Sequence, residues 1–353
     1  MTTTLLELAL ENTQLRRTAA REWAGPCPLC GGEDRFTVTT EAGRDGLGLF
    51  WCRGCKAGGD RVDYLRRVRG MSFRDACSFL GRHVEVWPPV RQRSSRKPCA
   101  PEVRDIVDPP DLWSVAAEKV VTAAEKTLQA VIGTDARAHL SGRGIDTQTA
   151  RWHRLGYIPR DMYFNRADWG LEDAAGAVKP TKICVPAGIV IPCCNQSDRV
   201  VRIRVRRDHP KGGPRYHTVA GSNTGCLIAG TGDWVFIVES DLDAIMLAAF
   251  AGMFVRVVAL GSAQVRLDPY AADIVRAARR VFVALDGDEA GDAAATRNWR
   301  LPNATRWPVP AEYGKDPGDA HRAGFDLAGW IIQALDTVCA PLTSRTTHEE
   351  ERT

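Results

Sequence analysis

Two Cys-x-x-Cys pairs near the start of the chain restrict its possible fold more than any other feature. Cys27 pairs with Cys30 and Cys52 with Cys55, and 21 residues separate the two pairs. Four thiolates in two such pairs satisfy the tetrahedral geometry that zinc prefers, and the turn-rich residues 41–46 between apolar segments are typical of a hairpin. We therefore predict a zinc ribbon with one structural zinc ion, since no ligand position is left open for water.

The composition is that of a globular protein with two or three domains. The chain has 353 residues, of which 44% are hydrophobic and 25% charged, and its net charge is +4. Eleven cysteines, an odd number, in a chain without an export signal argue against a disulfide framework and for a reducing compartment. The longest uncharged apolar run, residues 245–255, is too short to span a bilayer. We expect a cytoplasmic protein without a membrane partner.

Shifts in composition divide the chain into five segments. The proline-rich residues 87–111 are typical of an extended linker, and they follow the zinc-ribbon segment, residues 1–86. Residues 112–230 begin with a helical run and continue as a β-rich, arginine-rich segment. Residues 231–335 alternate short apolar strands with alanine-rich helices, which is the pattern of a parallel sheet. With residues 336–353 as a disordered tail, we predict an α+β multidomain chain: a zinc ribbon, a mixed α/β basic subdomain and an α/β subdomain with a mainly parallel sheet.

The segment from Arg199 to His217 carries seven lysines and arginines against one acidic residue. Within it, residues 199–207 alternate with period two, so three arginines share one face of a predicted strand at a spacing of roughly 6.6 Å. Guanidinium groups favour bidentate contacts to phosphate. Solvated surface charge is the alternative for any charged run, but the alternation favours contact with nucleic acid or nucleotides. The candidate residues of this segment are Arg202, Arg204, Arg206, Lys211 and Arg215.

Aromatic residues of the ribbon lie close to basic residues in the sequence. Phe50 and Trp51 precede Arg53 and Lys56, and aromatic faces near cations suit the stacking of single-stranded bases. We therefore predict that Phe50 and Trp51 contact nucleic acid. The alternative is that the aromatic side chains form the small core of the ribbon, and for Phe36 we favour that alternative.

Acidic residues follow two apolar segments that are predicted to be parallel strands. Glu239 ends the first, and Asp286 and Asp288 end the second. Because ligands of parallel sheets bind beyond the carboxyl ends of the strands, we expect these carboxylates at one edge, joined by the acidic turn 314–319. Close carboxylates repel unless a cation compensates, and oxygen ligands with open positions suit Mg²⁺ or Mn²⁺. The pattern predicts metal-assisted phosphoryl or nucleotidyl transfer.

Other kinds of site are less consistent with the sequence. The acidic motif that starts at Asp286 has Ala290 and Arg297 where a calcium loop needs ligands, which excludes an EF-hand. The chain contains no GxxxxGK[ST] motif and so no P-loop. Cys184, Cys193 and Cys194 are better explained as packed side chains than as a second metal site.

Together these motifs resemble the bacterial-type, DnaG-like DNA primases, which have an N-terminal zinc-binding domain and a toprim catalytic domain. The resemblance extends over nearly the whole chain. It rests on the cysteine motifs with SFRDACSFL (72–80), HLSGRGID (139–146), the basic segment 188–218, and the toprim-like motifs VFIVESDLDA (235–244), VVALGSA (257–263), VFVALDGDEAGDAA (281–294) and GKDPGDA (314–320).

The resemblance implies an enzyme that makes short RNA primers from NTPs on a single-stranded DNA template during DNA replication. It implies that the N-terminal domain binds the template and that Arg206 and Arg215 contact template and nucleotide. It also implies a set of ligands for catalytic magnesium: Glu239, Asp286 and Asp288, with Asp243, Asp316 and Asp319 in support.

The chain departs from this family in four respects. All four zinc ligands are cysteines, whereas the family usually has one histidine. Ser240 follows the toprim glutamate in place of glycine, and a family lysine that would hold the triphosphate has no counterpart at residues 223–225. The chain ends soon after Asp316, which implies a short phage, plasmid or prophage form that acts in a bacterial or phage-infected cell. A replicative helicase would then be a partner in trans.

Two other classes of protein remain as alternatives. The first is a non-catalytic recombination mediator that also combines zinc and toprim domains. Such proteins place the two close together, whereas 183 residues lie between Cys55 and Glu239. The second is a toprim nuclease, which would degrade DNA with Mg²⁺ alone. Topoisomerase activity is less consistent, since none of the six tyrosines lies in a predicted strand-passage domain.

Overall fold

The structure, a computed structural model, divides into two compact units. One lies within residues 1–88 together with 329–353, and the other within residues 89–328. The described residues are 3–42, 46–55, 57–71, 73–81, 101–173, 181–210, 212–262 and 266–336. Most of the predicted linker and all but one residue of the predicted tail therefore lie outside the described residues, and the predicted domain boundaries stay predictions.

The first unit contains an antiparallel sheet of five strands in the spatial order β1-β2-β3-β4-β5. The strands are β1 (Arg16–Ala19), β2 (Glu22–Cys27), β3 (Gly31–Thr39), β4 (Leu49–Cys52) and β5 (Gly58–Gly59). Three helices accompany them: α1 (Leu5–Leu10), α2 (Arg61–Val68) and α3 (Phe73–Phe79). The predicted hairpin is the pair β3–β4.

An aromatic cluster forms the core of the first unit. The ring of Phe36 lies 5.5 Å from that of Phe50 and 6.3 Å from that of Tyr64, measured between centroids. All three rings are buried. The alternation of buried and exposed residues along β3 puts Phe36 and Val38 on the inner face, because successive side chains of a strand point to opposite sides.

The second unit begins with helices and a mostly antiparallel region. Its first helices are α4 (Asp111–Gln129), α5 (Thr134–Gly142) and α6 (Thr147–Trp152), with a 3₁₀ turn at Val131–Gly133. The next strands are β6 (Gly156–Ile158), β7 (Met162–Asn165), β8 (Lys182–Val185), β9 (Gly188–Cys194), β10 (Val200–Arg207) and β11 (Tyr216–Thr218), with a second 3₁₀ turn at Ala167–Trp169. Four of them form a sheet in the order β11-β10-β9-β6, and β7 pairs with β8. Helix α4 packs against this region through buried residues that include Trp113, Ala117 and Val121.

The rest of the second unit is built around a mainly parallel sheet, as predicted. The strands are β12 (Leu227–Gly230), β13 (Trp234–Val238), β14 (Val255–Ala259), β15 (Arg280–Val283) and β16 (Ala304–Arg306), in the order β12-β14-β13-β15-β16. Only β12 runs antiparallel to its neighbour. The helices are α7 (Asp241–Ala251), α8 (Pro269–Ala277), α9 (Glu289–Asn298), α10 (Pro317–Arg322) and α11 (Leu327–Asp336), with a 3₁₀ turn at Ala311–Tyr313. From Gly329 onward, α11 is assigned to the first unit.

Burial explains why these strands are apolar along their whole length. Every residue of β13 is buried, as is usual for parallel strands covered on both faces. Because β13 and β15 are parallel neighbours in register, with Ile237 opposite Val283, their carboxyl ends lie at the same edge. Among the residues that the structure describes, no helix combines the length and apolar character that a bilayer span requires.

Candidate functional site

Three of the predicted carboxylates meet at the carboxyl edge of the parallel sheet. Glu239 follows β13, and Asp286 follows β15. The backbone N–H of Asp286 donates a hydrogen bond to Oε1 of Glu239 at 3.3 Å. Asp288 caps α9, since its Oδ1 accepts a hydrogen bond from the backbone N–H of Gly291 at 2.9 Å. The carboxylates of two separate strand ends therefore share one edge.

A lysine that the sequence analysis did not single out lies among these carboxylates. Nζ of Lys315 is 2.6 Å from Oδ2 of Asp286 and 3.8 Å from Oδ2 of Asp288. The side chain of Lys315 is 53% exposed and that of Asp286 is 13% exposed. The only sequence signal for this role is the position of Lys315 inside the acidic turn GKDPGDA.

The protonation equilibria at this edge reflect its crowded negative charge. Burial raises the pKa of Glu239, and the nearby Asp286 raises it further. Burial also raises the pKa of Asp286, against the hydrogen bond from Lys315. That hydrogen bond raises the pKa of Lys315. The ammonium group of Lys315 thus partly compensates the negative charge of the carboxylates. The carboxylate oxygens are also ligands of the kind that a divalent ion such as Mg²⁺ prefers.

A buried arginine fixes the backbone that carries Asp286. Nη1 of Arg306 donates hydrogen bonds to the carbonyl oxygens of Val283 and Leu285, at 2.9 and 2.7 Å. Its Nη2 donates to the carbonyl oxygen of Asp286 at 2.9 Å and to Oδ1 of Asp292 at 2.8 Å. These bonds hold the turn after β15. Arg306 therefore positions Asp286 through its backbone and not through its carboxylate. No sequence motif pointed to Arg306.

Asp243 lies in a buried ion pair. Its Oδ1 is 2.7 Å from Nη2 of Arg143, and the two side chains are 2% and 7% exposed. Burial raises the pKa of Asp243 to about 7 despite the positive charge of Arg143. The neighbouring backbone is close, because a Cβ atom on Gly318 would lie 2.1 Å from Nη2 of Arg143. The role of Asp243 in supporting magnesium stays a prediction, but its carboxylate is already bound to a cation.

The other two acidic residues of the predicted supporting set lie at the start of α10. Oδ1 of Asp316 accepts a hydrogen bond from the backbone N–H of Asp319 at 2.6 Å and so caps this helix. Asp319 forms an ion pair with Arg322. Both carboxylates thus have local structural partners, and their part in metal binding stays a prediction.

The arginine face of β10 is only partly available for phosphate. The predicted alternation is present, since Val201, Ile203 and Val205 are buried. The three arginines, however, do not form an exposed row of guanidinium groups. Nη2 of Arg202 is 2.9 Å from Oδ1 of Asp241, and the two side chains are 4% and 0% exposed. The cause is a buried acidic partner in the first turn of α7, which the strand pattern could not show.

Arg204 shares the same acidic partner. Its Nη1 is 2.9 Å from Oδ2 of Asp241, and its guanidinium group lies over the ring of Tyr216, 5.0 Å from the centroid. The hydroxyl of Tyr216 is 3.3 Å from Oγ of Ser240, and the carbonyl oxygen of Glu239 accepts a hydrogen bond from the N–H of Gly261 at 2.8 Å. The contact of Tyr216 connects β11 to the turn that carries Glu239, and the bond from Gly261 joins that turn to the end of β14.

Arg206 lies near two other arginines. It is half-buried, and burial lowers its pKa, as do the positive charges of Arg143 and Arg215. Arg215 is exposed. Lys211 lies outside the described residues. The nucleic-acid contacts of these residues stay predictions. Arg206 and Arg215 lie close enough together to form a cluster of positive charge.

The four cysteines of the ribbon form a compact cluster. Their Sγ atoms all lie within 4.8 Å of one another, with 3.9 Å between Cys27 and Cys55 and 3.6 Å between Cys30 and Cys52. Tetrahedral coordination with Zn–S bonds of about 2.3 Å separates sulfur atoms by about 3.8 Å. The thiolates therefore fit a structural zinc ion. Elsewhere in the described part of the chain, no group of cysteine, histidine and carboxylate ligands is comparably close, and Cys184, Cys193 and Cys194 form no second cluster.

The ribbon aromatics divide between core and surface. Phe36 and Phe50 are 0% and 3% exposed, so both belong to the core. This agrees with the prediction for Phe36, whereas the predicted nucleic-acid contact of Phe50 is wrong. A ring buried to this extent offers no face to a nucleic-acid base. Trp51 is 46% exposed and is the aromatic residue of this set that a base could reach. Lys56 lies outside the described residues.

Comparison with known protein families identifies the two domains. Residues 22–62 match the zinc-binding domain of primase-helicase, and residues 236–321 match a toprim-like domain. The first match contains the four cysteines and the second contains all the proposed magnesium ligands. The chain therefore has a primase-helicase type of zinc-binding domain followed by a toprim-like domain. The predicted resemblance and fold class are therefore confirmed.

Several DNA primases are similar to this chain in sequence. The DNA primase of Myxococcus xanthus is 28% identical over 156 residues, which cover 44% of this chain and 23% of the relative. The DNA primase of Rickettsia bellii is 24% identical over 345 residues, which cover 88% of this chain and 53% of the relative. The chain thus spans at most about half the length of these curated relatives. Among solved structures, the Aquifex aeolicus primase (zinc-binding and RNA polymerase domains) is 18% identical with a TM-score of 0.45, covering 94% of this chain and 82% of that one.

Proposed function

We propose that this chain is a DNA primase, a template-directed RNA polymerase that makes short primers from NTPs on single-stranded DNA. The observation that carries the proposal is the meeting of Glu239, Asp286 and Asp288 at one edge of a parallel sheet, within a toprim-like domain. The sequence similarity to DNA primases supports the same reaction class.

In this proposal Glu239, Asp286 and Asp288 hold Mg²⁺. A bound magnesium ion would stabilise the charge on the reacting phosphate and lower the pKa of the attacking 3′-hydroxyl. Burial and neighbouring carboxylates raise the pKa values of Glu239 and Asp286, so their ionised forms need a compensating cation. No side chain has to act as a nucleophile.

Lys315 gives this edge a partly exposed positive charge. Its ammonium group binds Asp286, and its side chain is 53% exposed. If these carboxylates held a divalent ion, the ammonium group would be free to leave Asp286 and contact the triphosphate of the incoming nucleotide. Lys315 would then take the role for which residues 223–225 offer no lysine.

The remaining functional residues bind and orient the nucleic acid and the nucleotide. Arg206 and Arg215 contact phosphates, since both belong to a cluster of positive charge. Arg202 and Arg204 act as positioning residues instead, because both guanidinium groups bind the single carboxylate of Asp241, which connects them to the turn after β13. In the zinc ribbon, exposed Trp51 stacks on a base of the template strand.

Primer synthesis on single-stranded DNA with four NTPs and Mg²⁺ tests the proposal. We expect labelled primers from the wild type, and a loss of at least about 100-fold in Asp286→Asn, as for the loss of one group that stabilises transition-state charge. Asp273→Asn is the matched control, because Asp273 is an exposed carboxylate of α8 paired only with the exposed Arg276 in the described contacts. This control should retain the wild-type rate.

Three outcomes would contradict the proposal and separate the alternatives. An inactive wild type beside an active primase would exclude primer synthesis. Degradation of labelled DNA with Mg²⁺ and without NTPs would identify a nuclease. DNA binding without synthesis, unchanged by Asp286→Asn, would indicate a non-catalytic recombination mediator.

A further inference from the structure

A cavity of about 680 Å³ opens beside β12, the edge strand of the mainly parallel sheet. Its other walls are the irregular segment around Ile106, the end of α6, the turn between β9 and β10, and the start of α8. The residues that line it include none of the proposed magnesium ligands and none of the arginines of β10. The cavity is therefore a second concave surface on this unit.

One wall of the cavity is a strand edge. β12 pairs with β14 on one side, and within the described residues no strand pairs with its other side. Ile228 and Gly230 of β12 are half-buried and line the cavity. A free strand edge presents backbone N–H and C=O groups that can pair with an added strand. The groove can therefore receive an extended peptide.

The charge of the lining selects the chemistry of that peptide. Three aspartates line the cavity, Asp108, Asp198 and Asp268, against one guanidinium group in the described part of the lining, that of Arg154. The Arg154 guanidinium is already bound by two glutamates of α4, with hydrogen bonds to each. The lining is thus net negative, which repels the phosphates of nucleic acid and attracts basic side chains.

The fold holds the carboxylate of one of these aspartates and the backbone of another in place. Asp108 accepts hydrogen bonds from Nδ2 of Asn195 at 2.8 Å and from Nδ2 of Asn223 at 3.0 Å. Asp198 lies at the tip of the β9–β10 turn with a positive φ of 58°, in a turn closed by the bond from its N–H to the carbonyl oxygen of Asn195 at 2.9 Å. Negative charge at the rim is therefore fixed before any ligand arrives.

Two exposed aromatic rings stand at the same opening. Trp152 at the end of α6 is 83% exposed, and Tyr270 at the start of α8 is 46% exposed. Both line the cavity. Aromatic faces attract guanidinium and ammonium groups, and large rings left in water beside a groove are typical of binding surfaces. Rings and carboxylates together favour arginine or lysine side chains.

We propose that this cavity docks an extended, basic segment of a partner protein, which adds to β12 as a further strand of the sheet. Every second side chain of such a segment faces the cavity, where its arginine or lysine groups meet Asp108 and Asp198 and the rings of Trp152 and Tyr270. The site is independent of the carboxylate edge, so it does not depend on the proposed reaction.

A fluorescein-labelled peptide of alternating arginine and valine, about eight residues long to match a strand, tests this site on the full chain. Fluorescence anisotropy should show saturable binding, and hydrogen exchange should show protection of amides in residues 227–230 when the peptide is bound. Asp198→Lys should weaken binding about tenfold, since it places like charge in the groove. Tyr270→Ala should weaken it about threefold, the size of one exposed cation–π contact.

Glu172→Lys is the matched control. It makes the same change of charge at an exposed carboxylate that does not line the cavity, so the affinity should stay at the wild-type value. If Glu172→Lys weakened peptide binding as much as Asp198→Lys, the loss of affinity would come from the overall charge of the protein, and the proposal would be overturned. So would undiminished binding to Asp198→Lys, saturable binding without protection of residues 227–230, or displacement of the peptide by a single-stranded oligonucleotide at equal concentration.

Discussion

Lys315 balances part of the negative charge at the edge of the parallel sheet. Its Nζ is 2.6 Å from Oδ2 of Asp286, and burial raises the pKa of that carboxyl. A divalent ion bound at this edge therefore competes with an ammonium group for the same oxygen. The lysine reduces repulsion in the absence of metal and reduces affinity for the metal when it is present.

Removing Lys315 should strengthen metal binding while it weakens the reaction. We expect Lys315→Ala to bind Mn²⁺ about tenfold more tightly in isothermal titration calorimetry, since one favourable carboxylate contact of roughly 1.4 kcal/mol no longer competes. Arg276→Ala removes a cation from an exposed ion pair on α8 and serves as the control, with unchanged affinity. Weaker or unchanged binding of Mn²⁺ to Lys315→Ala would contradict this account.

The buried pair of Arg143 and Asp243 should respond unequally to loss of either partner. Asp243→Asn leaves a buried guanidinium that stays charged, so we expect a loss of about 3–5 kcal/mol in the free energy of unfolding at pH 8, where the wild-type carboxyl is ionised. Arg143→Met leaves a carboxyl that can take up a proton. Its cost should be smaller at pH 6 than at pH 8.

The sign follows from the raised pKa of Asp243, about 7 in the folded protein. A carboxyl with a raised pKa contributes stability at low pH, and that contribution is lost as the pH rises through the folded value. Urea unfolding of both variants at the two pH values measures the difference. An equal cost of Arg143→Met at pH 6 and pH 8 would show that Asp243 does not take up the proton.

At the scale of the element, β10 divides its arginines between structure and binding. Arg202 and Arg204 are paired with buried Asp241, whereas Arg206 lies near Arg143 and Arg215. Arg202 and Arg204 are less available to replace counterions on DNA, because both are largely buried and both guanidinium groups are bound to the Asp241 carboxylate. Only Arg206 of the three is therefore expected to add to the salt dependence of DNA binding.

Salt titration of DNA binding tests this division. For single strands, each phosphate contact contributes about −0.7 to the slope of log K against log salt. We expect Arg206→Ala to flatten the slope by about that amount, whereas Arg276→Ala, which alters an exposed ion pair on α8, should leave it unchanged. Fluorescence anisotropy with a single-stranded oligonucleotide from 50 to 300 mM salt gives the slopes. An unchanged slope for Arg206→Ala would exclude the proposed phosphate contact.

Helix α10 packs closely on the pair of Arg143 and Asp243 because Gly318 has no side chain. A Cβ atom there would lie 2.1 Å from Nη2 of Arg143 and 2.6 Å from Oδ1 of Asp243. We expect Gly318→Ala to lower the free energy of unfolding by about 1–3 kcal/mol, as overpacking usually does. Gly142→Ala in α5 is the control, since nothing lies within 4 Å of the added Cβ atom. Denaturant unfolding should show it neutral or slightly more stable, and equal losses would contradict the close packing.

At the scale of the whole molecule, local sequence patterns predicted the strands and the cysteine cluster. Residues distant in sequence determine which side chains are paired and which are available to bind. The spacing of the cysteines predicted the cluster within 4.8 Å, and the apolar segments predicted the mainly parallel sheet. The alternation of β10 was also present. The partner of Arg202 lies 39 residues away in the chain, however, and no strand pattern contains it.

The same limit applies to the carboxylates. Asp243 is a residue type that often binds metal ions. Its actual partner, Arg143, is 100 residues distant in sequence, so no local motif shows the ion pair. Lys315 is 29 residues from Asp286 and looked like an ordinary charged residue of a turn. Burial of Phe50 at 3% exposure likewise follows from packing in three dimensions. Sequence alone identifies which residue types are present, and tertiary packing determines which of them are free to bind.

The central claim is that Glu239, Asp286 and Asp288 together bind the divalent ion that the reaction needs. Anomalous diffraction from crystals grown with Mn²⁺ and an NTP tests it most directly. We predict an anomalous peak about 2 Å from oxygens of these carboxylates, with Nζ of Lys315 moved away from Asp286. A peak only at other residues, or a Glu239 carboxylate that turns away from the ion, would contradict the account.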